Sequence, residues 1–221
     1  MNIKKLNRKG FSHVEMAIVV LVVAALGFVG YRVLKNTSHA GSKIFNNPTL
    51  ITADNLGHVW VVNGNGANSV TELNAKDGSL VKVIQGANYK FNHPDAITAD
   101  NLGHVWVANI NGANSITELN ANDGSLVKVI QYLDYKYNGF YAITADNLGH
   151  VWVVNEYANS VTELNAKDGS LVKVIQYTNY KYNTPMGITT DNLGHVWVTN
   201  YNANSVTELN AKDGSLVQVV E

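Results

Sequence analysis

Apolar and polar residues follow three different patterns along this chain. From residue 16 to 31 the sequence reads MAIVVLVVAALGFVGY with no charge, which predicts a helix rising roughly 24 Å at about 1.5 Å per residue. That is short for a bilayer. Phe11 and Val14 must extend the apolar span, which puts Glu15 inside or at the edge of the hydrocarbon, where an ionised side chain is costly unless it is paired. Residues 36–42, NTSHAGS, are small and polar and predict a helix stop and a linker.

Beyond the linker the pattern repeats. Four copies of one unit begin at Ile51, Ile97, Ile143 and Ile188, with periods of 46, 46 and 45 residues. Each reads I-T-(A/T)-D-N-L-G-H-V-W-V, a variable stretch, A-N-S-(V/I)-T-E-L-N-A-(K/N)-D-G-S-L-V, and a Tyr/Asn-rich connector. A period of this length without helical spacing predicts a propeller or a β-solenoid. Each unit holds four short β-type runs, in the first copy at 50–53, 58–63, 69–74 and 80–84. The turns Asp54-Asn55-Leu56-Gly57 and Ala75-Lys76-Asp77-Gly78 set Asp or Asn beside Gly, residues that accept the backbone angles of a tight hairpin. Strand and turn alternating in this way predict four-stranded antiparallel blades, whose edges are protected by radial repetition. The chain stops after the fourth strand of the last unit, so no strand exchange latches the ring. Four blades are the low end for closure, and a dimer completing eight blades is the alternative.

Composition narrows the function. The chain is 46% apolar and 15% charged, enough for one anchor and one sizeable domain. Residues 1–10 carry Lys4, Lys5, Arg8 and Lys9 and no acid, a cytoplasmic flank under the positive-inside rule. Without them 12 basic residues face 17 acidic ones, a net charge of −5, which argues against nucleic acid as a partner. There is no cysteine, hence neither a disulfide nor a thiolate metal site.

Lys9-Gly10-Phe11-Ser12-His13-Val14-Glu15 resembles the processing site of type IV prepilins. The resemblance implies cleavage by a prepilin peptidase after Gly10, methylation of the new N-terminal Phe11, and a filament-assembly role for Glu15, partnered by the free amine of a neighbouring subunit. His13 stands where pilins usually carry an aliphatic residue. The implied organisation is a leader at 1–10, a hydrophobic pilin-like transmembrane helix at 11–35, a linker at 36–44 and a repeat domain at 45–221. The protein would reside in the inner, cytoplasmic membrane before assembly with other pilin subunits, and then in an extracellular filament or at the cell surface. An ordinary signal anchor is the other reading of the same residues.

The repeat, with its G-x-V-W-V second strand and D-G turn, resembles the blades of NHL-type and streptogramin-lyase-type β-propellers over residues 45–221. The implied fold class is an all-β propeller of four blades, each of four antiparallel strands, behind the N-terminal helix. In that topology the turns after the first and third strands share one face, and these are the invariant turns. The opposite face gathers the connectors and the loops between second and third strands, which vary: Asn63-Gly64-Asn65-Gly66, Asn109-Ile110-Asn111-Gly112, Asn155-Glu156-Tyr157 and Asn200-Tyr201-Asn202. Ten of the eleven tyrosines fall in these variable segments. Tyr89, Phe91, Tyr132, Tyr135, Tyr137, Tyr157, Tyr177, Tyr180, Tyr182 and Tyr201 are the candidate ligand-binding set, suited to a surface glycan or a protein because aromatic rings stack on sugars and give rigid contact area. The competing expectation is that the connector aromatics pack between blades.

Twelve of the 17 acids are fourfold repeats, and residues required in every blade serve the blade. Asp54, Asp100, Asp146 and Asp191 are expected to accept hydrogen bonds from their own loops. His58, His104, His150 and His195 lie on second strands, too far apart by symmetry to share a metal. The four tryptophans of V-W-V, Trp60, Trp106, Trp152 and Trp197, are expected in the core. Only His93, Asp95, Asp134 and Glu156 are titratable, unrepeated and on the variable face, with His93 and Glu156 a possible acid-base pair. No motif matches the lyase family's catalytic set. The expectation is therefore a non-enzymatic pilin-like filament subunit, a pseudopilin or minor pilin displaying a propeller for adhesion, with no catalytic residues, metal or cofactor. The alternatives are a tethered binding protein that does not polymerise and an anchored lyase or hydrolase.

Overall fold

The computed structural model describes residues 44–110, 115–131, 139–191 and 193–221. Gly10, Phe11, Glu15 and the hydrophobic helix lie outside the described residues, as do Tyr132, Asp134, Tyr135 and Tyr137. Among the described residues no helix is long and apolar enough to cross a membrane. Ile44–Glu221 forms one compact unit.

That unit is built from four antiparallel sheets, each of four strands in chain order. Blade 1 contains β1 (Pro48–Ala53), β2 (His58–Asn63), β3 (Ser69–Asn74) and β4 (Leu80–Ile84). Blade 2 contains β5 (Pro94–Ala99), β6 (His104–Asn109), β7 (Ser115–Asn120) and β8 (Leu126–Gln131). Blade 3 contains β9 (Phe140–Ala145), β10 (His150–Asn155), β11 (Ser160–Asn165) and β12 (Leu171–Ile175). Blade 4 contains β13 (Pro185–Thr190), β14 (His195–Asn200), β15 (Ser205–Asn210) and β16 (Leu216–Val220). The first strand of each blade is innermost and the fourth outermost, since β1, β5, β9 and β13 pack in succession.

Period-two alternation gives each blade two apolar faces, and the core lies between blades. The trailing face of blade 1 presents Trp60, Val62, Val70 and Ile84 to Ile97, Val105, Val107, Leu119 and Ala121 on the leading face of blade 2. The same arrangement joins blade 2 to blade 3 through Trp106, Ala108, Ile116 and Ile130. It joins blade 3 to blade 4 through Trp152, Val154, Val161 and Ile175.

The glycine of each D-G turn is the socket for this packing. Gly124, Gly169 and Gly214 have φ of 66°, 66° and 68°, and a Cβ on them would lie 2.6, 2.6 and 2.7 Å from Cδ1 of Ile84, Ile130 and Ile175 of the preceding blade. Only glycine combines the left-handed backbone with that approach. Lys82, Lys128 and Lys173 add a hydrogen bond across each joint, donated to the carbonyls of Asp123, Asp168 and Asp213.

The two ends of the series are uncovered. Ile51 on the leading face of blade 1 is 63% exposed, against 6% for its counterpart Ile97. Val220 on the trailing face of blade 4 is 48% exposed, against 1% for Ile175. Trp60, Trp106 and Trp152 are fully buried, as their sequence pattern predicts. Trp197 is only half-buried because no blade follows it within the described residues. The four blades thus form an open series rather than a ring closed on itself.

Candidate functional site

Within each blade the Asp of the first turn organises a repeated polar network. Asp146 accepts hydrogen bonds on Oδ1 from the backbone N–H groups of Leu148 (2.8 Å) and His150 (2.9 Å). Its Oδ2 is 3.0 Å from Nδ1 of His150 and accepts the indole N–H of Trp152 at 2.8 Å. Nε2 of His150 lies 3.7 Å from the buried Glu163 carboxylate, and Lys173 approaches the other oxygen of that group at 3.6 Å. Blades 1 and 2 repeat the set with Asp54, His58, Trp60 and Glu72, and with Asp100, His104, Trp106 and Glu118. Each histidine therefore bridges two acids of its own blade.

Burial pushes the carboxyls of Glu72, Glu118 and Glu163 up, with the nearby Lys and His opposing. Asp54 moves the other way. Burial there is outweighed by the combined hydrogen bonds from His58, Trp60 and Leu56, which hold its carboxyl below the ordinary range. The indole of Trp197 is the main cause of the same downward shift at Asp191.

The opposite face is tied together by asparagine. Asn63, Asn109, Asn155 and Asn200 are buried at the ends of second strands and donate to the Ser and Thr hydroxyls of the neighbouring strand. Thr71, Thr117 and Thr207 pass the chain on by donating to the carbonyls of Ile44, Tyr89 and Tyr180 in the connectors. Asn68 and Asn159 sit in the left-handed region at φ 46° and 49°. Their side chains accept the N–H groups of His93 (2.9 Å) and Thr184 (2.8 Å), each at the entrance to the next blade. Much of the asparagine content of this face is accounted for by these bonds.

The candidate aromatics divide. Phe91 and Tyr180 are buried between blades, with Tyr89 and Tyr182 packed against the same clusters. Tyr89 stacks on Phe91 with ring centroids 5.4 Å apart, and the Tyr180 hydroxyl donates to the Gly214 carbonyl while accepting the N–H of Leu216. These serve the joints. Burial pushes the Tyr182 hydroxyl well above the ordinary tyrosine range, and it has no hydrogen-bond partner. Among the described residues Tyr157, Tyr177 and Tyr201 are exposed, as is Tyr141 on β9. The Tyr157 ring lies over Gly139, where a Cβ would come within 2.6 Å of it.

His93 and Glu156 come to neighbouring blades on this same face. His93 immediately precedes β5, and its Nδ1 is buried without a hydrogen-bond partner. Glu156 follows β10, and its backbone N–H donates to the carbonyl of Gly139, the residue immediately before β9. Since β5 and β9 pack on each other, the two residues stand on adjacent blades at the same end of the inner strands, the end at which Asp95 lies near the start of β5. A separate cavity of about 190 Å³ lies on the turn face, lined by Asp54, Asn55, Asp100, Asn101, Asp146 and Asn147 among others. Its aspartates are committed to the blade networks. No group of metal-ligating side chains occurs among the described residues.

No protein-family model matches the sequence, and no curated protein sequence matches it. The fold is similar to that of virginiamycin B lyase from Staphylococcus aureus, with a TM-score of 0.66 and 20% identity over 79% of this chain and 55% of that one. A catalytically inactive histidine-to-alanine variant of that lyase, with quinupristin, gives 0.64 and 21%, with 78% and 55% covered. The hydrazine synthase of Kuenenia stuttgartiensis gives 0.66 and 14%, with 83% and 51% covered. This chain spans about half the length of these structures. Identities this low establish the propeller fold alone. They correct the expectation of a non-enzymatic protein all the same, because the blades are shared with enzymes and the fold is one that carries catalysis.

Proposed function

We propose that the chain is a membrane-anchored propeller enzyme of the lyase or hydrolase type, acting through the face that holds His93, Asp95 and Glu156. The carrying observation is the placement of His93 and Glu156. They are unrepeated titratable residues, so the blades do not require them, and they stand on adjacent blades at the same end of the inner strands. Fold neighbours that are lyases support the reading by analogy. In an elimination, one of the pair removes a proton from carbon while the other donates a proton to the departing oxygen. The C–H and C–O bonds break, a C=C bond forms, and the pair ends with its protons exchanged. Exposed Tyr157 and Tyr201 flank this end and offer stacking surface for a ring-bearing substrate.

The test is turnover of quinupristin and of a panel of ester and glycan substrates by the full chain. Conversion should be lost in His93→Ala and Glu156→Ala with unchanged thermal stability, and the pH profile should be bell-shaped. Turnover retained in both variants, or none on any substrate by the parent chain, refutes the reading.

A second reading concerns the N-terminus and is supported by Gly10-Phe11 with Glu15. The anchor is of the prepilin type, processed after Gly10 and displayed with the propeller outside the cell. The intact mass and N-terminal sequence of protein sheared from cells possessing a prepilin peptidase should give a chain beginning at methylated Phe11 in a sedimentable fraction, and Glu15→Ala should leave that fraction empty. An uncut Met1 retained in membranes refutes it.

A further inference from the structure

We infer that the trailing face of blade 4 docks on the leading face of blade 1 of a second copy of this chain, head to tail, reproducing the joint already made three times within the protein. The inference stands independently of the catalytic reading. Its basis is that the chain carries both halves of one interface and leaves each half open at one end.

The leading half is unchanged at blade 1. Ile51, Val59, Val61, Leu73, Ala75, Asp77 and Gly78 stand where blade 2 has Ile97, Val105, Val107, Leu119, Ala121, Asp123 and Gly124, residue for residue. In blade 2 those apolar residues are buried by blade 1, and Gly124 receives Ile84. In blade 1, Ile51 and Ala75 are exposed. Gly78 keeps the receiving conformation at φ 69° with nothing within 4 Å of a Cβ position. The socket is formed and empty.

The trailing half is present on blade 4 as Trp197, Val206 and Val220, the counterparts of Trp60, Val70 and Ile84. Trp197 and Val206 are half-buried and Val220 is exposed. Asn204 holds φ 48°, the conformation in which Asn68 and Asn159 accept an N–H from the next connector. Its partner across the new joint is the N–H of Asn47, which occupies the position of His93 and shares its left-handed backbone at φ 51°. Two features of the internal joints are altered: Thr199 stands where Val62, Ala108 and Val154 pack into them, and one bond is changed. Where Lys82, Lys128 and Lys173 reach the next blade, blade 4 has Gln218, which donates instead to Glu208 of its own blade at 2.5 Å. The intermolecular joint is thereby weaker than the internal ones, as befits a contact between separate chains. Such a contact is heterologous, and two copies meeting at both ends make eight blades, within the range of propellers.

The chain has no cysteine, so single cysteines report the contact. Full chains carrying Lys76→Cys and Gln218→Cys are purified separately in detergent, mixed and treated with a short bismaleimide. A cross-linked dimer should form in the mixture and not in either protein alone. Adding Gly78→Ala or Ala75→Arg to the Lys76→Cys chain should cut its yield at least tenfold, because the socket is filled. Gln218→Lys should tighten self-association about fivefold by restoring the cross-joint bond. Cross-links within each single variant at equal yield, or monomers throughout, would each overturn the inference.

Discussion

Replacing Asp146 by Asn tests whether the repeated Asp, His and Trp network holds the blades. The substitution is nearly isosteric, and the amide oxygen can still accept the two backbone N–H groups now bound by Oδ1. The amide NH2 then faces the indole N–H of Trp152, a donor against a donor. Trp152 is fully buried, so water cannot replace the lost acceptor. An orphaned buried N–H costs about 1–3 kcal/mol, and loss of the charge-assisted character of the remaining bonds adds to it. The expected loss is about 2–4 kcal/mol. Urea denaturation followed by tryptophan fluorescence and circular dichroism measures it, and a cycle with Trp152→Phe isolates the pair. In the Trp152→Phe background the Asn substitution should cost about 1–2 kcal/mol less, since no indole remains to be orphaned. Asp191→Asn should cost less than Asp146→Asn, because Trp197 is half-buried and the carboxylate that its indole meets is itself open to water, unlike that of Asp146. A loss below about 1 kcal/mol at Asp146, or an equal loss with and without the indole, refutes the reasoning.

Other outcomes follow from the same joints. Gly169→Ala should destabilise by about 2–4 kcal/mol, from left-handed strain and collision with Ile130. Gly78→Ala, with the same backbone and open space, should cost about 1 kcal/mol, and equal losses in thermal unfolding at dilute concentration would argue against the socket. Tyr182→Phe should stabilise by about 1 kcal/mol, since it removes an unpartnered buried hydroxyl at the place where the second repeat has Phe91; a loss would mean that the hydroxyl has a partner in solution. Glu118 has its carboxyl raised by burial, so its protonated form favours the fold. That contribution is full below the ordinary glutamate value of about 4.3 and is lost as pH rises through the raised folded value. Glu118→Gln should therefore flatten the fall in melting temperature above that pH, and an unchanged profile would refute the assignment.

The sequence by itself determined the strand pattern, the turns and the blade unit, because period-two alternation and Asp/Asn beside Gly are local constraints that each copy states in full. The four strands of blade 1 were legible to within two residues, as was the division into an invariant and a variable face. Which connector aromatics are buried was not legible. Tyr180 and Tyr177 lie three residues apart in one connector, yet one fills a joint and the other faces solvent, an outcome fixed by the neighbouring blade. Nor could the repeat show whether four blades close. Its copies look alike, and the angle between successive sheets is set by side chains meeting across the joint. A signal for the open end was present in retrospect, in Gln218, Thr199 and Val220 where the other copies have Lys, a smaller or more apolar residue, and Ile. The placement of His93 and Glu156 at the same end of adjacent blades belonged wholly to the tertiary structure, since residues 63 positions apart share that end only when blade 2 packs on blade 3.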